Sequence, residues 1–160
     1  MKTLVAGVGN VFFGDDGFGV EVARRLALEA LPVDVKVSDY GIRGVHLAFE
    51  LVAGYERAIV IDAVPRGAEA GTLYIIEPDL EAISATPDSH SMELHNVFAF
   101  MKQLEGPRPH VTIVGCEPAS ANERMELSEP VRNAIEPAVA LIKDLLARET
   151  TLPITQETIT

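Results

Sequence analysis

The sequence is poor in cysteine and in basic residues. Cys116 is the single cysteine, which excludes an internal disulfide bond and a Cys-x-x-Cys metal cluster and is compatible with a reducing cytosol. No cysteine-protease signature surrounds it, so we expect a small apolar side chain that ends a strand. Only 13 lysines and arginines stand against 24 acidic residues, for a formal charge of −11. This charge repels phosphate backbones and anionic membranes, so we expect neither nucleic acid nor a membrane as partner.

Long apolar runs are also missing. No stretch approaches the length of a membrane span, and residues 1–6 lack the apolar region and cleavage site of a secretory signal. We therefore expect a cytoplasmic protein. With 48% apolar and 23% charged residues among 160, the chain can bury an ordinary globular core. We predict a single α/β domain over residues 1–148 and a poorly ordered, threonine-rich tail over residues 149–160.

Short apolar runs alternate with segments of helical periodicity. The pattern predicts strands at residues 4–8, 33–37, 58–61, 72–76 and 111–114, and helices at residues 20–30, 45–52, 94–104 and 131–146. Pro137 should bend or split the last helix, which Ser128 could cap. The alternation predicts a three-layer α/β/α sandwich with a twisted, mostly parallel five-stranded sheet. The short spacing between the third and fourth strands favours one antiparallel pair.

A glycine-rich segment joins the first strand to the first helix, with GVGN at residues 7–10 and GDDGFG at residues 14–19. A dinucleotide fingerprint needs glycine where Phe12 stands, and the Gly-Lys-Ser/Thr of a phosphate loop is missing. Two carboxylates would also oppose a bound phosphate, which disfavours a flavodoxin-like nucleotide-binding module. Either Asp15 or Asp16 can cap the helix, and this leaves the other aspartate for function.

Asp62 follows the apolar run of residues 59–61, at the carboxyl end of a buried strand. Open α/β sheets bind ligands outside such strand ends, at the point where the strand order reverses. If the order is 2-1-3, the resulting crevice lies between Asp16 and Asp62. The alternative for Asp62 is a local turn or cap.

His90 and His95 follow a long irregular stretch, residues 78–89. Their five-residue spacing does not give the paired histidines of a helical zinc motif. A surface or capping role is the alternative for His90, and we expect His46 and His110 to be structural or surface residues. Two carboxylates and one imidazole together suit a borderline divalent metal with an open coordination position.

Taken in order, GVGN and DDGFG, Asp39 in SDYGIRG, Asp62 in IVIDAV and His90 in DSHSME resemble the hydrogenase maturation protease family. The resemblance runs from the first strand to the final helix. It implies a twisted five-stranded sheet between helices. It also implies an endopeptidase that removes a C-terminal extension from the large-subunit precursor of nickel-iron hydrogenase after nickel has been loaded. The three metal-contacting positions of the family fall on Asp16, Asp62 and His90, and Asp39 matches a further carboxylate with a supporting catalytic role.

The sequence departs from many relatives at residues 39–42, where Asp-Tyr-Gly-Ile replaces Asp-Gly-Gly-Thr, and this loop could set the choice of precursor. The region of His90 lacks a glycine-leucine pair found in some relatives, which leaves His95 as a rival ligand. The resemblance implies nickel carried by the precursor and no resident cofactor. Either nickel polarises the scissile carbonyl or a carboxylate activates water. The alternative from another class is a non-catalytic nickel or assembly chaperone.

Overall fold

Five main strands form a mixed sheet with helices on both faces. The computed structural model describes residues 1–83, 94–119, 126–148 and 156–157. The strands are β1 (Thr3–Val8), β2 (Val35–Gly41), β3 (Arg57–Ala63), β4 (Leu73–Pro78) and β5 (His110–Cys116), with a two-residue β6 (Gln156–Glu157). The helices are α1 (Phe18–Leu26), α2 (Gly44–Leu51), α3 (Leu94–Gln103), α4 (Glu129–Arg132) and α5 (Ile135–Ala147), and short 3-10 turns occupy Gly14–Gly17 and Leu80–Ala82. None of the helices in the described ranges is long and apolar enough to cross a membrane.

The strand order is β2-β1-β3-β5-β4-β6. Strands β2, β1, β3 and β5 are parallel to one another, whereas β4 is antiparallel to β5. The predicted mostly parallel sheet is confirmed. The antiparallel partner of β4 is β5 rather than β3, because both edges of β3 are already paired with β1 and β5. Of the predicted tail, only Gln156–Glu157 lies within the described residues, and its backbone pairs with β4.

Alternate side chains of the central strands enter two apolar cores. All six residues of β1 are buried, as expected for a central strand covered on both faces. Leu4 contributes to the core that includes Phe98 of α3, and its neighbour Val5 contributes to the core that includes Ile142 of α5. The sheet is therefore the middle of three layers, with α2 and α3 on one face and α1 and α5 on the other.

A close backbone contact fixes α1 against the sheet. A Cβ added to Gly19 would stand 2.1 Å from the carbonyl oxygen of Ile61, and one added to Gly7 would stand 2.2 Å from the carbonyl oxygen of Gly19. No side chain fits at such distances, so glycine allows α1 to lie directly on β1 and β3. This contact places the turn at Gly14–Gly17 beside the carboxyl ends of these two strands.

The predicted elements are correct in kind and differ at their ends. Helix α1 stops at Leu26, and β2 begins at Val35, whose amide donates to the carbonyl of Pro32 in a turn. The last predicted helix is split, as expected from Pro137, into α4 and α5. Pro137 lies in the first turn of α5, where its missing N–H removes no helical hydrogen bond.

Asp15 ties the turn after β1 to two distant segments. Its side chain is 1% exposed and accepts hydrogen bonds from the amide of Ala119, at 2.8 Å, and from the amide and hydroxyl of Ser128, at 2.7 and 2.8 Å. Neither α1 nor the preceding 3-10 turn receives a side-chain cap, and Ser128 does not cap α4 with its side chain. The predicted caps by Asp15 or Asp16 and by Ser128 are wrong, because Asp15 and Ser128 bond to each other and Asp16 bonds to Asn10.

We expect Asp15→Ala to lower the free energy of unfolding by about 2 to 3 kcal/mol, since it leaves buried donors without a charged acceptor. The matched control is Asp16→Ala, which removes one bond from the amide of Asn10 and should cost about 1 kcal/mol. Urea denaturation followed by circular dichroism measures both values. An equal decrease in the free energy of unfolding for both variants would contradict the conclusion that Asp15, and not Asp16, is the structural aspartate.

Candidate active site

A cavity of about 810 Å³ opens at the carboxyl ends of the central strands. Its wall is built by residues at and just beyond the carboxyl ends of β1, β2 and β3 and by the first turn of α3: Val8, Gly9, Asn10, Phe13, Asp16, Gly41, Ile42, Asp62, Ala63, Val64, Pro65, Arg66, Leu94 and His95, with Ile76 and Ile113 from the sheet. Because β2 and β3 flank β1, the strand order reverses here. The predicted crevice at the switch point is confirmed.

Asp16 and Asp62 both line this cavity, and both side chains are half-buried. Asp16 Oδ2 accepts a hydrogen bond from the amide of Asn10, and Asp62 Oδ1 accepts one from the amide of Ala63, each at 2.8 Å. The bond to Ala63 is the local contact expected for a turn aspartate, and Asp62 makes it while standing in the cavity wall.

Gly9 separates the two aspartates. A Cβ at this position would stand 1.8 Å from the main-chain oxygen of Asp16 and 3.8 Å from Oδ1 of Asp62. Its φ of +129° is also a conformation that favours glycine. The loop after β1 therefore passes between Asp16 and Asp62 without a side chain, and the two carboxylates lie in one wall.

The remaining predicted site residues have different positions. His90 lies outside the described residues, so its role stays a prediction. His95, its rival, is the second residue of α3, is half-buried and lines the cavity. In the described part of the chain, no group of three or more histidine, cysteine or acidic side chains is arranged to hold a metal.

Asp39 is not brought to the cavity. It lies on β2, with Oδ2 3.6 Å from Nε of Arg24 on α1. Its main-chain oxygen accepts a hydrogen bond from Arg43 at 2.9 Å. Asp39 is thus not among the residues that line the cavity with Asp16 and Asp62, and its supporting catalytic role remains a prediction from the family resemblance.

Cys116 and two histidines take the structural or surface positions expected of them. Cys116 ends β5 and is 1% exposed; burial, with the nearby charges of Asp15 and Glu117, raises the pKa of its thiol to about 12. A thiol of this kind is protonated at neutral pH and is a poor nucleophile. His46 is exposed on α2, and exposed His110 bonds to the carboxylate of Glu77.

Two residues that shape the cavity were not predicted from the sequence. Arg66 lines the wall four positions after Asp62, and Glu117 directly follows β5 with 4% of its surface exposed. The carboxylate of Glu117 accepts hydrogen bonds from the amides of Arg66 and Ala68. Glu117, like Asp62, directly follows a largely apolar run of the sequence, and this is the signal that could have identified it. The sequence carries no comparable signal for Arg66.

Comparison with known sequences identifies the family. Residues 20–145 match the family model described as hydrogenase maturation protease. The hydrogenase expression/formation protein HupD of Bradyrhizobium diazoefficiens is 30% identical over 153 residues, which cover 91% of this chain and 78% of that protein.

Solved structures agree with the sequence comparison. The hydrogenase maturating endopeptidase HybD from Escherichia coli matches with a TM-score of 0.77 at 27% identity, over 91% of this chain and 92% of that one. A hydrogenase 2 maturation peptidase from a Thaumarchaeota archaeon matches with a TM-score of 0.70 at 36% identity, over 93% of this chain and 100% of that one. The chain therefore belongs to the hydrogenase maturation protease family and is an endopeptidase of that family.

Proposed function

We propose that this endopeptidase removes the C-terminal extension of a nickel-iron hydrogenase large-subunit precursor after nickel has been loaded. The observation that carries the proposal is the meeting of Asp16 and Asp62 in one cavity wall at the carboxyl ends of β1 and β3. Family membership supplies the reaction class, which is hydrolysis of a peptide bond. The precursor is both substrate and partner, and the acidic chain suits a protein partner better than nucleic acid.

The proposed recognition of nickel uses the side chains at this wall. Asp16, Asp62 and His90 contact nickel that cysteines of the precursor already hold, and His95 is the rival imidazole. Carboxylate oxygen and imidazole nitrogen are suitable ligands for such a borderline metal. Nickel is thus cargo of the substrate, and the protein requires no resident cofactor of its own.

Cleavage adds one water across the scissile peptide, so the precursor gains a carboxylate and the released extension gains an amine. Binding the nickel fixes the neighbouring peptide against Asp16 and Asp62, and such positioning can supply much of a rate enhancement. The attacking water must lose a proton, which either carboxylate can accept. Nickel next to the scissile carbonyl would add polarisation of that carbonyl. We place the reaction in the cytoplasm, which the scarcity of cysteine supports.

Apolar side chains at the cavity rim fit a protein substrate. Phe13 and Ile42 line the cavity with exposures of 43% and 54%, and Phe12, adjacent to Phe13, is 60% exposed. Exposed apolar groups beside polar ones are typical of protein interaction sites. We infer that the precursor covers this rim, formed by Phe12, Phe13 and Ile42, when its scissile segment enters the cavity.

The nickel proposal predicts that the wild-type protein releases the extension from nickel-loaded precursor and not from nickel-free precursor. Asp16→Asn, Asp62→Asn and His90→Ala should each lower kcat/KM by roughly 100-fold or more, because each removes a group that contacts nickel or accepts a proton. Mass spectrometry of the released peptide measures the rate. His46→Ala is the matched control, since His46 is exposed on α2 outside the cavity wall.

Three outcomes would count against parts of this proposal. Equal cleavage of loaded and empty precursor would exclude nickel recognition. A complex in which the precursor keeps its C-terminal peptide would indicate a chaperone instead of a protease. Loss of activity in His95→Ala with full activity in His90→Ala would transfer the imidazole role to His95.

The rim predicts a separate effect on binding. The double variant of Phe12→Ser and Ile42→Ser should raise KM for the precursor roughly tenfold with little change in kcat, because apolar contact with the substrate is lost. The matched control is the double variant of Leu28→Ser and Val33→Ser. These side chains are 81% and 104% exposed, but they lie between α1 and β2, at the amino end of the sheet and away from the cavity. An equal rise in KM for both double variants would contradict a role specific to the rim.

A further inference from the structure

The cavity wall beyond Asp62 is fastened to the end of β5. The amide of Val64 donates to the carbonyl of Cys116 at 2.9 Å, and the amide of Gly71 donates to the carbonyl of Glu117 at 2.9 Å. The amide of Glu117 in turn donates to the carbonyl of Thr72 at 2.8 Å. Residues 64–71, which we name the wall loop, are therefore held at both ends by the backbone of residues 116 and 117.

The side chain of Glu117 holds the middle of the same loop. Its Oε1 accepts hydrogen bonds from the amides of Arg66 and Ala68, at 2.9 and 2.8 Å, and from the hydroxyl of Tyr74, at 2.8 Å. Burial raises the pKa of this carboxyl, but the Tyr74 hydroxyl and the loop amides outweigh it and hold the pKa below its ordinary value. The buried group is thus an ionised acceptor that satisfies donors on the wall loop and on β4.

Tyr74 connects this network to the cavity. The guanidinium of Arg66 lies over the Tyr74 ring, 5.6 Å from its centroid, while the hydroxyl of the same ring donates to Glu117. Arg66 also lines the cavity that contains Asp16 and Asp62. Glu117 therefore fixes both the main chain of Arg66 and the ring on which its side chain lies.

We propose that Glu117 is a positioning residue that holds the wall loop so that Arg66 stands in the cavity wall and binds a carbonyl oxygen of the substrate chain. A guanidinium that stacks on an aromatic ring contacts the ring with its flat face. Its N–H groups point outward in the guanidinium plane, where they can donate to a carbonyl oxygen. Arg66 is the one lysine or arginine among the described residues of the wall, and Asp16 and Asp62 can only accept hydrogen bonds when ionised. This inference rests on the proposed protease function.

The test measures kcat and KM for removal of the C-terminal peptide from nickel-loaded large-subunit precursor. Arg66→Met should raise KM roughly tenfold and leave kcat within about twofold, since it removes charged hydrogen bonds made equally in ground and transition states. Glu117→Ala should raise KM in the same way. Glu117→Gln should raise KM less than Glu117→Ala does, because its amide oxygen can accept the three bonds made by Oε1, whereas the bond from the Arg66 amide to Oε2, at 3.2 Å, is lost. Glu69→Gln, an exposed change on the same loop, is the matched control and should have no effect.

The double variant of Glu117→Ala and Arg66→Met decides whether Glu117 acts through Arg66. We expect its KM to equal that of Arg66→Met alone, because coupled residues give non-additive effects. If Glu117→Ala does not fold, Tyr74→Phe replaces it, since this change removes one bond to Glu117 and keeps the ring. Its smaller rise in KM should disappear in the Arg66→Met background.

An unchanged KM for Arg66→Met would overturn the inference, and so would effects of Glu117→Ala and Arg66→Met that multiply. Loss in Glu117→Gln as great as in Glu117→Ala would overturn the assignment to these hydrogen bonds. If the wild-type protein binds the precursor without cleaving it, the proposed function fails, and the Kd of the same variants tests Arg66. If it neither binds nor cleaves the precursor, both proposals fail.

Discussion

The direct contact of the first helix with the sheet is the constraint on which the candidate site depends. Gly19 approaches the carbonyl oxygen of Ile61 so closely that an added Cβ would stand at 2.1 Å, and Gly9 leaves only 1.8 Å for a Cβ beside the main chain of Asp16. A larger residue at either position would push the turn before α1 away from β3. Asp16 and Asp62 share a wall because these two contacts contain no side chain. Their geometry is set by the backbone before any substrate binds, as positioning catalysis requires.

Among the described residues, burial divides the carboxylates of Asp15, Asp16, Asp62 and Glu117 near this edge of the sheet into two kinds. Asp15 and Glu117 are at most 4% exposed, and each accepts several hydrogen bonds from distant amides and hydroxyls. A buried charge needs such donors, because desolvation otherwise makes it costly. Asp16 and Asp62 are only half-buried and line the cavity. The nearly buried pair fixes the loops, while the half-buried pair meets whatever enters the cavity.

The sequence was sufficient where local pattern and topology decide the structure. Apolar runs and helical periodicity predict the layers, and the strand order β2-β1-β3 follows the general behaviour of open α/β sheets. These patterns were enough to predict that Asp62 lies at the carboxyl end of β3. The same strand order places Asp62 in the cavity wall.

The roles of the acidic residues could not be predicted from the sequence, because they depend on contacts between residues far apart in the chain. Asp15 and Asp16 are adjacent in a glycine-rich turn, and only the long-range contacts of Asp15 with Ala119 and Ser128 show that Asp15 is structural. The family pattern groups Asp39 with Asp62, whereas β2 carries Asp39 to Arg24 on α1. Glu117, like Asp62, lies at the carboxyl end of a strand, yet its carboxylate accepts hydrogen bonds from the wall loop. Sequence position therefore identifies acidic residues at the strand ends, and tertiary hydrogen bonds determine which of them face the cavity.

The difference between peptide contacts and the two cavity aspartates bears on how a maturation protease could distinguish nickel-loaded from nickel-free precursor. Under the proposed function, loaded and empty precursors share their peptide contacts, including those with Arg66 and the apolar rim, so these contacts favour both forms equally. Discrimination requires an interaction that only one form makes. The carboxylates of Asp16 and Asp62 provide such an interaction if they bind the nickel of the loaded precursor. The scissile peptide then lies against the same wall as these oxygen ligands. Peptide contacts would set how tightly any precursor binds, whereas the two aspartates would set whether the bound precursor is cut.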